Sequence, residues 1–226
     1  MAFILNIETS TKNCSVSIAE NGELLSLKEI NTGNYSHAEM LHPLILESLK
    51  ESNIELSKID AMAVGKGPGS YTGLRIGVSA TKGLCFANNL PLISINSLEI
   101  LAHAQQIEDQ GYLVPMIDAR RMEVYSAIFD RNHKLIGETK AKIIDQNSYS
   151  KYLEEGNVYF FGDGAEKCKE LITHDNAKFI EGQFPSAKQM AMLSFNKYKE
   201  DDFENVAYFE PFYLKDFIVT TEKKKV

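Results

Sequence analysis

The run Val-Gly-Lys-Gly-Pro-Gly-Ser-Tyr-Thr-Gly-Leu-Arg-Ile-Gly at residues 64–77 restricts the fold of this chain more than any other stretch. An apolar strand over residues 59–64 leads into it, and a helix of small and apolar residues over 73–88 leads out. Glycines and Pro68 between them build a loop that few side chains would permit. A strand, a glycine loop and a helix start together make a cradle for an anion, because free N–H groups point out of a helix N-terminus. The same residues equally serve a tight connection that lets the helix pack close to its sheet, with Gly67, Pro68, Gly69 and Gly73 as its structural positions. Spacing excludes three common catalytic loops. A Walker A loop needs Lys-Ser/Thr after its last glycine, which is absent. The dinucleotide fingerprint finds Gly65 and Gly67 but meets Ser70 where its third glycine belongs. A nucleophile elbow fails because Pro68 and Thr72 stand at its two glycine positions around Ser70.

A length of 226 residues suits one large or two small domains, and 44% hydrophobic with 24% charged residues is an ordinary globular balance. The first residues carry no basic leader, and no apolar run approaches the roughly 20 residues of a membrane helix. Cys14, Cys85 and Cys168 are odd in number and scattered, so reduced thiols in a soluble, cytoplasmic protein away from membranes are expected. The net charge of −7 argues against unaided binding of RNA, which needs Lys and Arg to neutralise phosphates. The basic clusters are Arg120-Arg121 and a terminal Lys223-Lys224-Lys225, read as a solvated tail.

Along the chain, Phe3 to Ile7 predicts a strand ending in the hydroxyl-rich turn Glu8-Thr9-Ser10-Thr11. Residues 14–19 alternate as a second strand, Asn21-Gly22 signals a hairpin, and residues 23–27 return as a third. Ser36 and Glu39 spell a capping box for a helix to about Ser52, with Met40, Leu41, Leu44, Ile45 and Leu49 on one face. Strands at 59–64 and 91–95 bracket the glycine-loop helix, and Ser97 is read as the cap of a helix running to about Ile107. The order βββαβαβα matches one half of an actin-like, ribonuclease-H-like α/β architecture, two lobes of mixed sheets flanked by helices. The second half predicts strands at 112–118, 123–129 and 158–161, a helix at 187–198, and an aromatic segment, 210–214, docking onto the body. The expected lobes are residues 1–107 and 108–226, the last segment packing back on the first.

Glu8, Thr9 and Ser10 are weak candidates for binding a cofactor: an acid with hydroxyls at a strand end holds metal and phosphate in actin-like kinases, although a capped, hydrogen-bonded turn uses the same residues. His37 and His42 are five apart, roughly 140° around a helix, and His103, His133 and His174 are isolated, so no metal site is expected. Asp118-Ala119-Arg120-Arg121 reads as a turn whose Asp accepts backbone hydrogen bonds; an Arg pair also suits phosphate or carboxylate. Gly73, Gly77, Ala80, Leu84 and Ala87 form a small-residue stripe that admits close approach. Apolar surface left over between this helix and the one carrying Met40 would meet a second subunit.

Three blocks carry a family resemblance: Ile4-Leu5-Asn6-Ile7-Glu8-Thr9-Ser10, residues 65–77, and Ile117-Asp118-Ala119-Arg120-Arg121-Met122-Glu123-Val124-Tyr125. With Phe161-Gly162-Asp163-Gly164-Ala165 and Pro211-Phe212-Tyr213-Leu214 following in order, the chain resembles the TsaB (YeaZ) family over nearly its whole length. The resemblance implies a relative of TsaD, the subunit that transfers a threonylcarbamoyl group to the adenosine beside the tRNA anticodon. It implies a two-lobed actin-like chain that has lost catalysis and binds TsaD through its first two helices, a surface that also forms homodimers. Carried over, that surface is Met40, Leu41, Leu44 and Ile45 with Gly73, Leu74, Gly77 and Ala80. TsaE and, indirectly, tRNA complete the assembly, with ATP at the level of the complex and no cofactor expected on this chain alone. TsaD binds its metal through N-H-x-x-x-H, and the matching stretch here, Asn96-Ser97-Leu98-Glu99-Ile100-Leu101, puts Ser97 and Leu101 at the histidine positions. The alternative is an independent ATP-binding enzyme of the actin-like class that depends on Glu8 and Thr9.

Overall fold

The computed structural model describes residues 1–31 and 36–215. Alternating apolar residues and the Asn21-Gly22 turn, whose φ values are 49° and 88°, fold the start of the chain into an antiparallel meander of β1 (Phe3–Glu8), β2 (Cys14–Glu20) and β3 (Glu23–Ile30). Then come α1 (His37–Ser52), β4 (Ala61–Gly67), α2 (Tyr71–Asn88), β5 (Leu92–Asn96) and α3 (Ser97–Ala102). Strand β4 runs parallel to β1 and β5, giving the order β3-β2-β1-β4-β5. The same plan recurs in the second half. Strands β6 (Tyr112–Asp118), β7 (Glu123–Ser126) and β8 (Lys140–Ile143) form a meander, α4 (Ser150–Glu155) follows, and β9 (Val158–Phe161) and β10 (Ala177–Ile180) add in parallel. The order is β10-β9-β6-β7-β8, the first sheet's plan repeated. Helix α5 (Ala187–Lys199) closes the described helices, none of which is long and apolar enough to cross a membrane.

Helices α1 and α2 lie side by side on one face of the first sheet. Leu41, Leu44, Ile45, Val78 and Cys85 interlock there with Leu5, Ile7, Val16, Ile18, Met62 and Val64. On the other face Ile100 of α3 and Ala187 and Met190 of α5 meet Ile4, Ala61, Ala63, Ile93 and Ile95. Burial from both sides explains why β1 and β4 read as nearly continuous apolar runs. The buried Asn6 of β1 donates to Ser17 Oγ at 3.2 Å. Helix α5 is fixed to β2 by two hydrogen bonds, Ala187 N to Ser15 Oγ at 2.9 Å and Ser17 Oγ to Ala187 O at 2.8 Å.

Beyond α5 the chain runs back along the first sheet. Glu204 N donates to Leu92 O at 2.8 Å, Lys82 Nζ to Phe209 O at 2.7 Å, and Phe212 N to Lys66 O at 2.7 Å. The Tyr213 ring lies 5.1 Å from that of Tyr71, and Lys215 pairs with Glu123 of β7. Lys223-Lys224-Lys225 lie outside the described residues.

Several elements differ from the sequence reading. Ser36 ends up at φ −118°, ψ 17° with no side-chain cap bond, so the capping box with Glu39 is not made; the first helix is held by its packed face instead. The third helix is capped by Asn96, the Ser97 hydroxyl being engaged elsewhere, and it stops at Ala102, short of Ile107. Strand β4 starts two residues later than the apolar run, and β7 ends at Ser126, with Phe129 contributing isolated bridges to Leu113 and Leu135. Strands β8 and β10 and helix α4, of four to six residues each, carry too short a pattern to have been read.

Helix α2 contains an exposed glycine, Gly83, with nothing within 4 Å of an added Cβ. Gly83→Ala is expected to raise stability by about 0.5–1 kcal/mol, chiefly by restricting the unfolded chain. A urea titration that shows no higher midpoint at an unchanged m-value would contradict it.

Candidate functional site

The end of β1 and the glycine loop meet in the interior. Glu8, Thr9 and Ser10 are fully buried, and each lies against a position without a side chain. A Cβ at Gly65 would stand 2.0 Å from Glu8 Oε2, one at Gly69 2.4 Å from Ser10 O, one at Gly73 2.2 Å from Thr9 O, and one at Gly77 2.2 Å from Thr9 Oγ1. Thr9 Oγ1 donates to Gly73 O at 2.8 Å, and Ser70 N donates to Ser10 O at 2.7 Å. Three N–H groups of the loop and helix start are committed within the fold: Gly67 N to Ser97 Oγ at 3.2 Å, Ser70 N to Ser10 O, and Gly73 N to Ser70 Oγ at 3.3 Å. Of the two readings of this loop, the close-packed connection accounts for its glycines. Gly67, at φ 104°, precedes a cis peptide to Pro68 and has Leu74 and Phe212 O on the side where a side chain would be.

Glu8 itself is bound from within. Ser10 N donates to Oε1 at 2.5 Å and Ser97 Oγ to Oε2 at 3.1 Å. Burial pushes the carboxyl above its ordinary value, and these hydrogen bonds only partly oppose the shift. Leu101 is buried among Leu98, Leu113, Ile117 and Phe161. His37 is buried with Nε2 2.6 Å from Thr11 O, and burial lowers its pKa. His103 and His133 stack with ring centroids 4.2 Å apart, and His174 Nδ1 accepts from Asn176 N at 3.1 Å. Burial pushes the Cys14 and Cys85 thiols up to about 12 and that of Cys168 up to about 11, so all three behave as packing groups.

The helical residues read as a partner surface are mostly interior. Leu41, Leu44, Ile45 and Leu74 are buried in the core, and Gly73 and Gly77 face Thr9. Only Met40 and Ala80 remain half-exposed. The correction is physical: an apolar stripe at helical spacing marks the face that meets the sheet, and a side chain already covered offers a partner nothing. The residues that do reach outward from these helices are Leu46 of α1, 67% exposed, and Phe86 of α2, 84% exposed. Both stand off the stripe on otherwise polar faces, which is the sequence signal that would have found them.

In the second sheet the β6–β7 turn sits where the first has Glu8 to Ser10. Asp118 N donates to Asp163 Oδ1 and Arg120 N to Asp118 Oδ1, both at 3.0 Å. Lys167 Nζ pairs with Asp118 and donates to Arg121 O and Glu123 O, each at 2.7 Å. Arg120 and Arg121 are exposed at φ 70° and 53°.

Glu8 makes stability depend on pH. Between the ordinary glutamate value and the raised one, the folded state holds one more proton than the unfolded, so stability falls as pH rises through that window. Glu8→Gln stays neutral throughout and is expected to flatten this fall, measured as urea unfolding free energy in a pH series upward from about 4.5. Identical slopes for the two proteins would rule out a raised carboxyl. Separately, Gly73→Ala, which pushes a methyl into the Thr9 carbonyl, is expected to cost about 1–3 kcal/mol in the same assay.

Comparison with known proteins gives this geometry its relatives. A model of the TsaD family, described as tRNA N6-adenosine threonylcarbamoyltransferase, matches residues 32–223. The tRNA threonylcarbamoyladenosine biosynthesis protein TsaB of Haemophilus influenzae is 29% identical over 223 residues, 94% of this chain and 93% of its own. The protein of the same name from Escherichia coli is 28% identical over 220 residues, 94% of each chain. Among solved structures, an uncharacterized protein with similarity to peptidase YeaZ, from Pseudomonas aeruginosa, has a TM-score of 0.84 at 26% identity, covering 95% of this chain and 100% of that one. The ethanolamine utilization protein EutJ from Carboxydothermus hydrogenoformans, TM-score 0.54 at 12% identity over 85% of this chain and 90% of its own, shares the fold alone. Two mixed sheets built on one plan, helices on their faces and these neighbours together describe an actin-like fold of two lobes. This chain belongs to the TsaD family and, within it, to the TsaB (YeaZ) group.

Proposed function

We propose that this chain is a non-catalytic subunit in the formation of threonylcarbamoyladenosine in tRNA, binding and supporting the transferase of its family, TsaD. The curated relatives that span it are named for the biosynthesis of that nucleoside. The observation that carries the non-catalytic reading is the inward bonding of Glu8 and Ser97. At the strand end where an actin-like enzyme would hold metal and phosphate, the acid is buried, bound by Ser10 and Ser97, and packed against Gly65. Leu101, with an alkyl side chain in the core, has no lone pair to offer a metal.

The partner surface is the outer side of α1 and α2. Leu46 and Phe86 project from neighbouring helices on one side of the first sheet, with Met40 and Ala80 at the border of that surface. Exposed apolar anchors of this kind are what a desolvated interface core requires. The same surface serves a homodimer when the transferase is absent. TsaE and tRNA join the assembly through the transferase, and residues 1–107 and 108–226 are its two lobes, the last segment packed back on the first.

The test is threonylcarbamoyl transfer to tRNA by the cognate transferase with TsaE, threonylcarbamoyl-adenylate and ATP, with and without this chain. Turnover is expected only when the chain is present, and none from the chain alone. Full activity without it overturns the subunit role. Leu46→Glu with Phe86→Glu is expected to weaken pairing at least thirtyfold, on the roughly 2 kcal/mol scale of hot-spot losses, while circular dichroism and the melting midpoint stay unchanged. Pairing that survives both charges moves the interface elsewhere.

A further inference from the structure

The turn between β6 and β7 carries two arginines at backbone positions that favour other residues. Arg120 and Arg121 are consecutive residues in the left-handed region, at φ 70° and 53°, where an L side chain crowds the backbone and Asn or Gly would sit at ease. They are two of only four arginines in a chain with 20 lysines. A position that merely needed positive charge in this chain would be expected to carry lysine.

The surroundings hold the turn rigid and leave the guanidinium groups unengaged. Lys167 collects Asp118, Arg121 O and Glu123 O, and the Asp118 carboxylate also accepts from Arg120 N. Behind it, Asp163 takes the Asp118 N–H, and Ile144 N closes the far side on Met122 O at 3.0 Å. Both acids of the turn are answered by lysines, Asp118 by Lys167 and Glu123 by Lys215. Among the described residues neither guanidinium makes an ion pair or a hydrogen bond, and both side chains are exposed. The positive charge of Arg120 reaches the Tyr125 ring, as does that of Lys215. Two planar, fork-shaped donors thus stand on consecutive exposed residues, unpaired, on a protein whose net charge is −7. Two unengaged arginines at left-handed positions of an exposed turn, where Asn or Gly would cost less, point to a ligand.

We infer that Arg120 and Arg121 bind phosphodiester groups of an RNA backbone. Arginine forks match phosphate oxygens two at a time, which lysine cannot do. Contacts of this kind fix the register of an RNA without reading its sequence. The overall acidity of the chain means that this pair adds to a binding surface supplied mainly by a partner. The inference therefore rests on the proposed membership of a tRNA-modifying assembly, in which it makes tRNA a direct contact of this chain.

The experiment is equilibrium binding of cognate unmodified tRNA to the complex of this chain with its transferase, across a series of salt concentrations. The variants are Arg120→Asn with Arg121→Gly, which relieves the backbone, and Arg120→Lys with Arg121→Lys, which keeps the charge. The first variant is expected to melt no lower than wild type, to pair with the transferase unchanged, and to bind tRNA more weakly. Each lost phosphate contact should lower the slope of log K against log salt by about 0.7–0.9. The second variant should keep most of the slope and lose part of the affinity. Unchanged affinity and slope in the first variant, with pairing intact, overturn the phosphate role alone. A wild-type complex that forms but binds no tRNA does the same. Loss of pairing instead of tRNA binding assigns the arginines to an acidic protein surface and also overturns it. Failure of the wild-type chain to pair at all overturns the subunit role on which the inference rests. If the first variant does not fold, the slope is read from Arg120→Gln with Arg121→Gln.

Discussion

Everything in the first lobe is arranged around the contact between the end of β1 and the side-chain-free edge of the loop and helix that follow β4. Four glycines, Gly65, Gly69, Gly73 and Gly77, each leave room for one atom of Glu8, Thr9 or Ser10 at a distance no Cβ would tolerate. That approach sets how close α2 lies to the sheet. It thereby decides which of its residues face inward, and α1 packs beside it on the same core. The glycines that make this loop resemble an anion cradle are thus the ones that let the end of β1 pack against it, and the N–H groups of Gly67, Ser70 and Gly73 are bonded within the fold.

The two sheets share one plan but put their strand-end chemistry to opposite uses. In the first, Glu8, Thr9 and Ser10 are sealed under α2, and burial favours the neutral acid. In the second, glycines again let the loop after β9 crowd the first strand: a Cβ at Gly162 would lie 2.2 Å from Met116 O, and one at Gly164 2.9 Å from Ile117 C. Only the short helical turn Glu166–Cys168 follows that loop directly, where the first lobe has all of α2. Asp118, Arg120 and Arg121 consequently stay at the surface. One topology gives a buried acid in one lobe and an exposed basic turn in the other.

The elements of the first lobe were legible because each carries a full pattern: alternation in β2, Asn21-Gly22 between β2 and β3, and five helically spaced apolar residues in α1. In the second lobe β8 is Lys-Ala-Lys-Ile and β10 Ala-Lys-Phe-Ile, four-residue strands whose pairing comes from neighbours distant in sequence. The candidate acid at Glu8 was visible from its place at a strand end, but its burial was not, since that depends on Gly65 and Ser97 far along the chain. The partner surface was misread for a related reason. Leu41, Leu44 and Ile45 reveal that α1 has an apolar face, and periodicity alone does not say whether sheet or partner covers it. Nor does any local pattern announce that Arg120 and Arg121 sit at positive φ, because Lys167, which pins that turn, comes 46 residues after Arg121.

The segment after α5 makes these surfaces parts of one object. It bonds to the edge of β5 through Glu204, buries Phe209 beside the α1–α2 core, passes over the glycine loop at Phe212, and reaches β7 through Lys215. Its route ties the lobe that carries Leu46 and Phe86 to the turn that carries Arg120 and Arg121. An exposed ion pair such as Lys215–Glu123 contributes little by itself. Anchored by the buried Phe209 and by backbone bonds to Leu92 and Lys66, however, it closes a path already mostly formed, at a small further loss of chain entropy. A subunit that bound its partner with one lobe and touched RNA with the other would gain from that tie, because two contacts act together only when the distance between them is held.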